Sequence, residues 1–179
     1  WPAVLESVFV SLAGIIDTLM VSSMGTYAVA ATGLILLPKF LSLSFFFAIN
    51  VAVSALVARR LGQNNRRNAN QVLVTSTAVV ILLCIALTVI TVIFADPLIV
   101  ICGSNVDTHE GAVIYFRVIQ IGMIFNVLSL VINAAQRGAG NTKIAMVTNV
   151  TSSIVNIIFN YLLIGGNFGF PKWGLFGAA

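Results

Sequence analysis

The sequence is poor in charge. Nine Lys or Arg and five Asp or Glu make up 8% of 179 residues. A water-soluble domain carries about 25%, so this chain lacks the charge to cover a water-facing surface. There is one histidine, and there are two cysteines. Cys84 and Cys102 are separated by an apolar run and Asp96-Pro97. If that run is helical, they lie beyond the roughly 4.4–6.8 Å Cα separation of a disulfide. Both are expected to be free thiols, and neither has metal-ligand spacing. H-E-x-x-H, a phosphate-cradling P-loop and a nucleophile elbow are all missing, which argues against an enzyme. The net charge of +4 comes without a basic patch interleaved with aromatics, which argues against nucleic acid. No cleavable signal peptide is visible. The chain opens at Trp1 in apolar sequence and stops at "GLFGAA", so both ends read as cut from a longer protein.

What the sequence has is apolar length. It is 59% hydrophobic, with a mean hydropathy of +1.07. Five segments approach or exceed the roughly 20 residues that span a hydrocarbon core. They run over about 3–24, 28–57, 72–94, 112–135 and 145–164. Backbone groups in lipid must be satisfied within their own segment, so these are expected to be helices. The fold class is all-α integral membrane, a polytopic helical bundle, with "GLFGAA" as the start of a sixth helix. Pro38 is expected to kink the second segment. Arg59, Arg60, Arg66 and Arg67 lie in one connection and Arg137 and Lys143 in another two spans later. The intervening connection carries Asp96, Asp107 and Glu110, and Lys172 comes later on that side. The positive-inside rule places the Arg-rich connections and the N-terminus in the cytoplasm.

Against this background the buried polar residues stand out. Asp17 lies about seven residues from the outer end of the first segment, roughly 10 Å deep at 1.5 Å per residue. An intramembrane carboxylate is a functional candidate by default, because it is costly to insert. It can exchange a proton, hold a cation, or pair permanently as packing. Glu6 is three turns earlier on the same face, nearer the cytoplasm. In the fifth segment Asn149, Ser152, Ser153, Asn156 and Asn160 recur at three- and four-residue steps, forming a polar stripe. Such a stripe faces protein or a water-filled cavity, as interhelical glue or as a site. Asn156 and Asn160 are level with Asp17, and an acid with two amide oxygens could ligate a hard cation. Asn126, Ser129 and Asn133 in the fourth segment, and Asn50 and Ser54 in the second, read as packing or cavity lining. Lys39 is expected to snorkel outward, or else to face the cavity and pair with Asp17. Arg117 is expected to snorkel to the outer interface. "DTHEG", with Asp107, His109 and Glu110, reads as a solvated loop whose acids complement a helix N-terminus.

Three stretches resemble the multidrug and toxic compound extrusion (MATE) family. "PAVLESVFVSLAGIIDTLMVSSMGTYAVAATGL", with its Asp17-Thr18 pair, is similar to the family's opening helix. "LVARRLGQNN" resembles its first cytoplasmic loop. "QRGAGNTKIAMVTNVTSSIVNIIFNYLLI" followed by "GFPKWGLFGAA" resembles its fifth helix and the entry to the sixth. The resemblance implies most of the N-terminal six-helix lobe of a twelve-helix transporter in the plasma membrane, the bacterial inner membrane being the expected one. It implies export of small cationic amphipathic compounds in exchange for H⁺ or Na⁺, with no cofactor and no metal beyond a possible Na⁺ at Asp17. Asp17 matches the family's coupling carboxylate and Asn156 a residue of the same cation site. Asn160 stands where many members have Asp. Thr18, Glu6, Lys39, Asn50, Asn126 and Ser153 are candidate cavity-lining residues. The remaining helices of the transporter and the lipid bilayer are the implied partners. A lipid-linked oligosaccharide flippase, which should carry more basic residues inside the lobe, is the nearest rival. A non-transporting membrane scaffold is another.

Overall fold

The computed structural model describes residues 2–23 and 25–165. Among them are six helices: α1 (Pro2–Ser22), α2 (Thr26–Gly62), α3 (Arg66–Ile93), α4 (Ala95–Ile101), α5 (Val106–Gly138) and α6 (Thr142–Gly165). Five of these, all but α4, are long and apolar enough to cross a membrane. The described residues form no strand. The expected sixth span, with Lys172, lies outside the described residues.

Four of the five spanning helices, all but α1, are longer than the hydrophobic runs suggested. α2 continues through Arg59 and Arg60 to Gly62, and α3 starts at Arg66. The Asn65 side chain caps α3 by accepting from the Asn68 N–H at 3.1 Å, satisfying one of the helix's orphan donors. Hydropathy marks where lipid ends, whereas the backbone hydrogen-bond ladder runs on into the polar interface. The connection after the third span also contains α4, which hydropathy alone did not reveal. α4 is anchored by Ala95 and Ile99, both fully buried.

α5 is the hub, packing against α2, α3, α4 and α6, while α1 packs chiefly on α6. One core cluster joins Phe46 and Val53 of α2, Val80 and Cys84 of α3, and Val127 and Val131 of α5. A second joins Ala31 and Ile35 of α2, Ala95 and Ile99 of α4, and Phe116 of α5. Large apolar side chains also point outward: Leu37 is 72% exposed and Phe125 76%. In lipid these positions are solvated by acyl chains, so their exposure fits a membrane protein. Pro38 is buried within a continuous α2, and the Ser42 hydroxyl donates to its carbonyl at 2.9 Å.

Gly138 matters for packing. A Cβ there would collide with the backbone carbonyl of Ser54, so its bare Cα lets α5 and α2 approach closely. Gly140, at φ 79°, then turns the chain from α5 into α6 in a conformation that other residues rarely adopt.

Candidate functional site

α1, α2, α5 and α6 line a half-open cavity of about 510 Å³. On its α1–α6 wall, the Asn160 amide donates to Asp17 Oδ1 at 2.9 Å and to Asn156 Oδ1 at 3.2 Å. Asn160 is buried and Asp17 half-buried. The three residues expected at one depth therefore do converge. The Asn156 amide has two useful orientations. With its nitrogen turned inward, it gives up the hydrogen bond from Asn160, lies 3.2 Å from both Asp17 oxygens and donates to them. With its oxygen inward, it adds a third oxygen beside the carboxylate. Donor–acceptor chemistry favours the first when the carboxylate is alone. The second suits a bound cation.

Thr18, Lys39 and Asn126 line the same cavity, as does Tyr115, a residue that periodicity gave no reason to select. Thr18 donates to the Gly14 carbonyl at 2.8 Å, within its own helix. Asn50 and Ser153 are not among the cavity's lining residues, contrary to expectation. Both are half-buried; Asn50 lies nearer the Arg-rich end of α2 and Ser153 near the middle of α6.

Lys39 was expected either to snorkel or to pair with Asp17, and it does neither. It faces the cavity, yet the ion pairs among the described residues are Arg117–Asp96, His109–Asp96 and Arg137–Glu6. Arg117, expected to reach the outer interface, is 42% exposed and finds an acid of the outer connection. It donates to Asp96 Oδ2 at 2.7 Å and ties α5 to α4. His109 joins this cluster, 3.7 Å from Asp96 and 2.9 Å from Ser104 Oγ. This part of "DTHEG" is thus organised by α4 rather than simply solvated. The expectation missed it because it had no α4 to bring Asp96 near.

Glu6 also lies outside the cavity. It accepts from Arg137 at 2.9 Å and from Asn149 at 2.5 Å, and Asn133 donates to Asn149 at 2.8 Å. The polar stripe on α6 therefore serves two sites, with Asn149 in this network and Asn156 and Asn160 at Asp17. A further buried group went unnoticed in the sequence. Gln120 of α5 donates to Ser42 at 3.2 Å and to Thr91 at 2.8 Å, joining α5 to α2 and α3. A lone Gln in an apolar run carries no periodic signal.

Among the described residues, no three His, Cys, Asp or Glu side chains gather as a metal site. The two cysteines are free.

The MatE family model matches residues 2–162. The chain is 30% identical to the probable multidrug resistance protein YoeA of Bacillus subtilis, over 99% of this chain and 39% of YoeA. It is 28% identical to an FAD transporter of Shewanella oneidensis, over 91% of this chain and 36% of that protein. A solved outward-facing multidrug resistance transporter superposes with a TM-score of 0.88 at 28% identity, covering 99% of this chain and 38% of that one. The chain thus spans about two-fifths of the length of these relatives.

Proposed function

This chain belongs to the MATE family, and from that premise we propose that it forms the N-terminal lobe of a secondary active antiporter. Asp17, Asn156 and Asn160 hold the H⁺ or Na⁺, and an amphipathic cation leaves in exchange. The observation that carries this reading is the 2.9 Å contact of Asn160 with Asp17 on the wall of a cavity. An intramembrane carboxylate held by amides can change occupancy without leaving a naked charge in lipid.

The exchange follows from competition. An empty Asp17 is negative, and the Asn156 amide nitrogen turns to it. It also attracts a cationic group entering the cavity. A bound proton or Na⁺ neutralises it, turns the Asn156 amide the other way and removes that attraction. Because Asp17 is on α1 and both amides are on α6, occupancy alters the contact between these helices. A ligand with different affinity for two packings shifts the balance between them, here inward-open and outward-open forms. The Arg-rich connections face the cytoplasm and the protein sits in the plasma membrane, the bacterial inner membrane being the expected one.

The test is efflux from proteoliposomes containing the full-length transporter that carries this chain, driven separately by proton and sodium gradients. Asp17→Asn is expected to lose coupled efflux while still inserting and folding. Wild-type efflux in a folded Asp17→Asn protein would sink the coupling role and favour a scaffold. A flippase for phosphate-linked lipids is less well supported, since Lys39 is the one basic residue lining the cavity among the described residues.

A further inference from the structure

Lys39 is a charge in the cavity that the cation exchange does not use. Thr32, Leu36, Lys39 and Leu43 of α2 line the cavity at three- and four-residue steps, so Lys39 belongs to the inward face of that helix. Lys39 lies inside the apolar run of α2, and its place on the cavity-facing stripe sends the ammonium into the cavity. A charge within a membrane span is costly unless it faces water or an opposite charge. Yet Lys39 forms no ion pair among the described residues, and the acid in its own cavity is engaged by Asn160.

We propose that Lys39 is an anion subsite of this cavity, taking the carboxylate or other oxyanion group of an amphipathic solute. This rests on reading the cavity as a transport cavity but not on the coupling role of Asp17. The ammonium offers a point charge with three donors. Asn126 and Thr32 add polar groups to the lining, while Leu36, Leu43 and Met123 supply apolar surface for the rest of the molecule. A sign rule follows. When Asp17 is neutralised, Lys39 becomes the dominant charge of the lining, so cation occupancy strengthens oxyanion binding, and by linkage the reverse holds. A purely cationic solute shows the opposite dependence, because it competes for Asp17.

The purified full-length transporter carrying this chain can be titrated with a xanthene dye bearing a free carboxylate and with its methyl ester, read by fluorescence polarisation. Lys39→Gln is expected to weaken the acid about tenfold, the worth of one charge-assisted contact. The ester should change less than about twofold on the same reasoning. Lys39→Arg should keep the acid bound. Equal losses for both dyes, or no loss for the acid, overturn the subsite. If Lys39→Gln fails to fold, the wild type still decides: acid bound no more tightly than its methyl ester also overturns the subsite. The two readings fail separately. Efflux that survives Asp17→Asn removes the exchange at Asp17 alone. An acid dye that binds Lys39→Gln as tightly as wild type removes the anion subsite alone.

Discussion

Two acids on α1 meet two amides on α6, and the spacings match. Glu6 and Asp17 are eleven residues apart, as are Asn149 and Asn160, about three helical turns in each case. The pairs Glu6–Asn149 and Asp17–Asn160 are therefore two rungs between parallel neighbours. They differ in surroundings. Glu6 has Arg137 at 2.9 Å and is only 15% exposed, so its charge is already answered. Asp17 has no ion-pair partner among the described residues. Glu6 is thus expected to be structural. Glu6→Ala should lower stability by about 1–2 kcal/mol, because it leaves Arg137 and Asn149 without their acceptor while Arg137 regains some solvent. Thermal unfolding in detergent measures the loss, and gradient-driven efflux should keep its ion dependence. An unchanged melting temperature with lost coupling would show the opposite assignment. At the Asp17 rung, Asn160→Ala should weaken coupling-ion dependence more than Asn126→Ala, since only Asn160 touches the carboxylate. Ion titration of efflux compares the two.

At the scale of elements, α5 holds the lobe together by close packing as well as by its ion pairs to α4 and α1. Helices in lipid gain little from hydrophobic exclusion and depend on packing and on polar contacts between them. α5 uses both. Gly138 brings its backbone against Ser54 of α2, and Gln120 bridges Ser42 of α2 and Thr91 of α3. Gly138→Ala should force these helices apart at one end and cost about 1–3 kcal/mol, as overpacking does. The loss should appear as a lower unfolding midpoint in detergent. Gly122→Ala is the control, because a Cβ there meets nothing within 4 Å. Ala is the better helix former, so Gly122→Ala should hold or raise the midpoint, and an equal loss from the two would show that the contact with Ser54 is not responsible.

For the whole molecule, the ends of the bundle differ in charge. Arg59, Arg60, Arg66, Arg67, Arg137 and Lys143 lie at one end, while Asp96, Asp107 and Glu110 lie at the other. Single cysteines at Gln63 and Asn141, in a background lacking Cys84 and Cys102, should be labelled by an impermeant thiol reagent only from the cytoplasm. A cysteine at Asn105 should be labelled only from outside. Labelling of Gln63 and Asn141 from different sides would contradict the bundle itself, and labelling of both from outside would reverse the proposed orientation.

The scarcity of charge and the length of the apolar runs were enough to establish a multi-pass helical membrane protein, because lipid leaves an unpaired backbone no alternative. The spacing of Asp17, Asn156 and Asn160 made their common depth and the stripe on α6 legible, since helical period and depth are properties of the chain alone, whereas their contact needed α1 beside α6. Helix ends were not legible, because hydrogen bonding continues past the hydrophobic run into Arg59 and Arg66. Nor was α4, too short to leave a period of its own. Partner choice was decided by the tertiary structure. Arg117 and His109 meet Asp96 only because α4 folds onto α5. Glu6 meets Arg137 only because α1 lies against α6 and the end of α5. Lys39 faces the cavity without an ion pair among the described residues because of where α2 sits relative to α1. Those contacts are set by the rotation and register of whole helices, which no local spacing encodes.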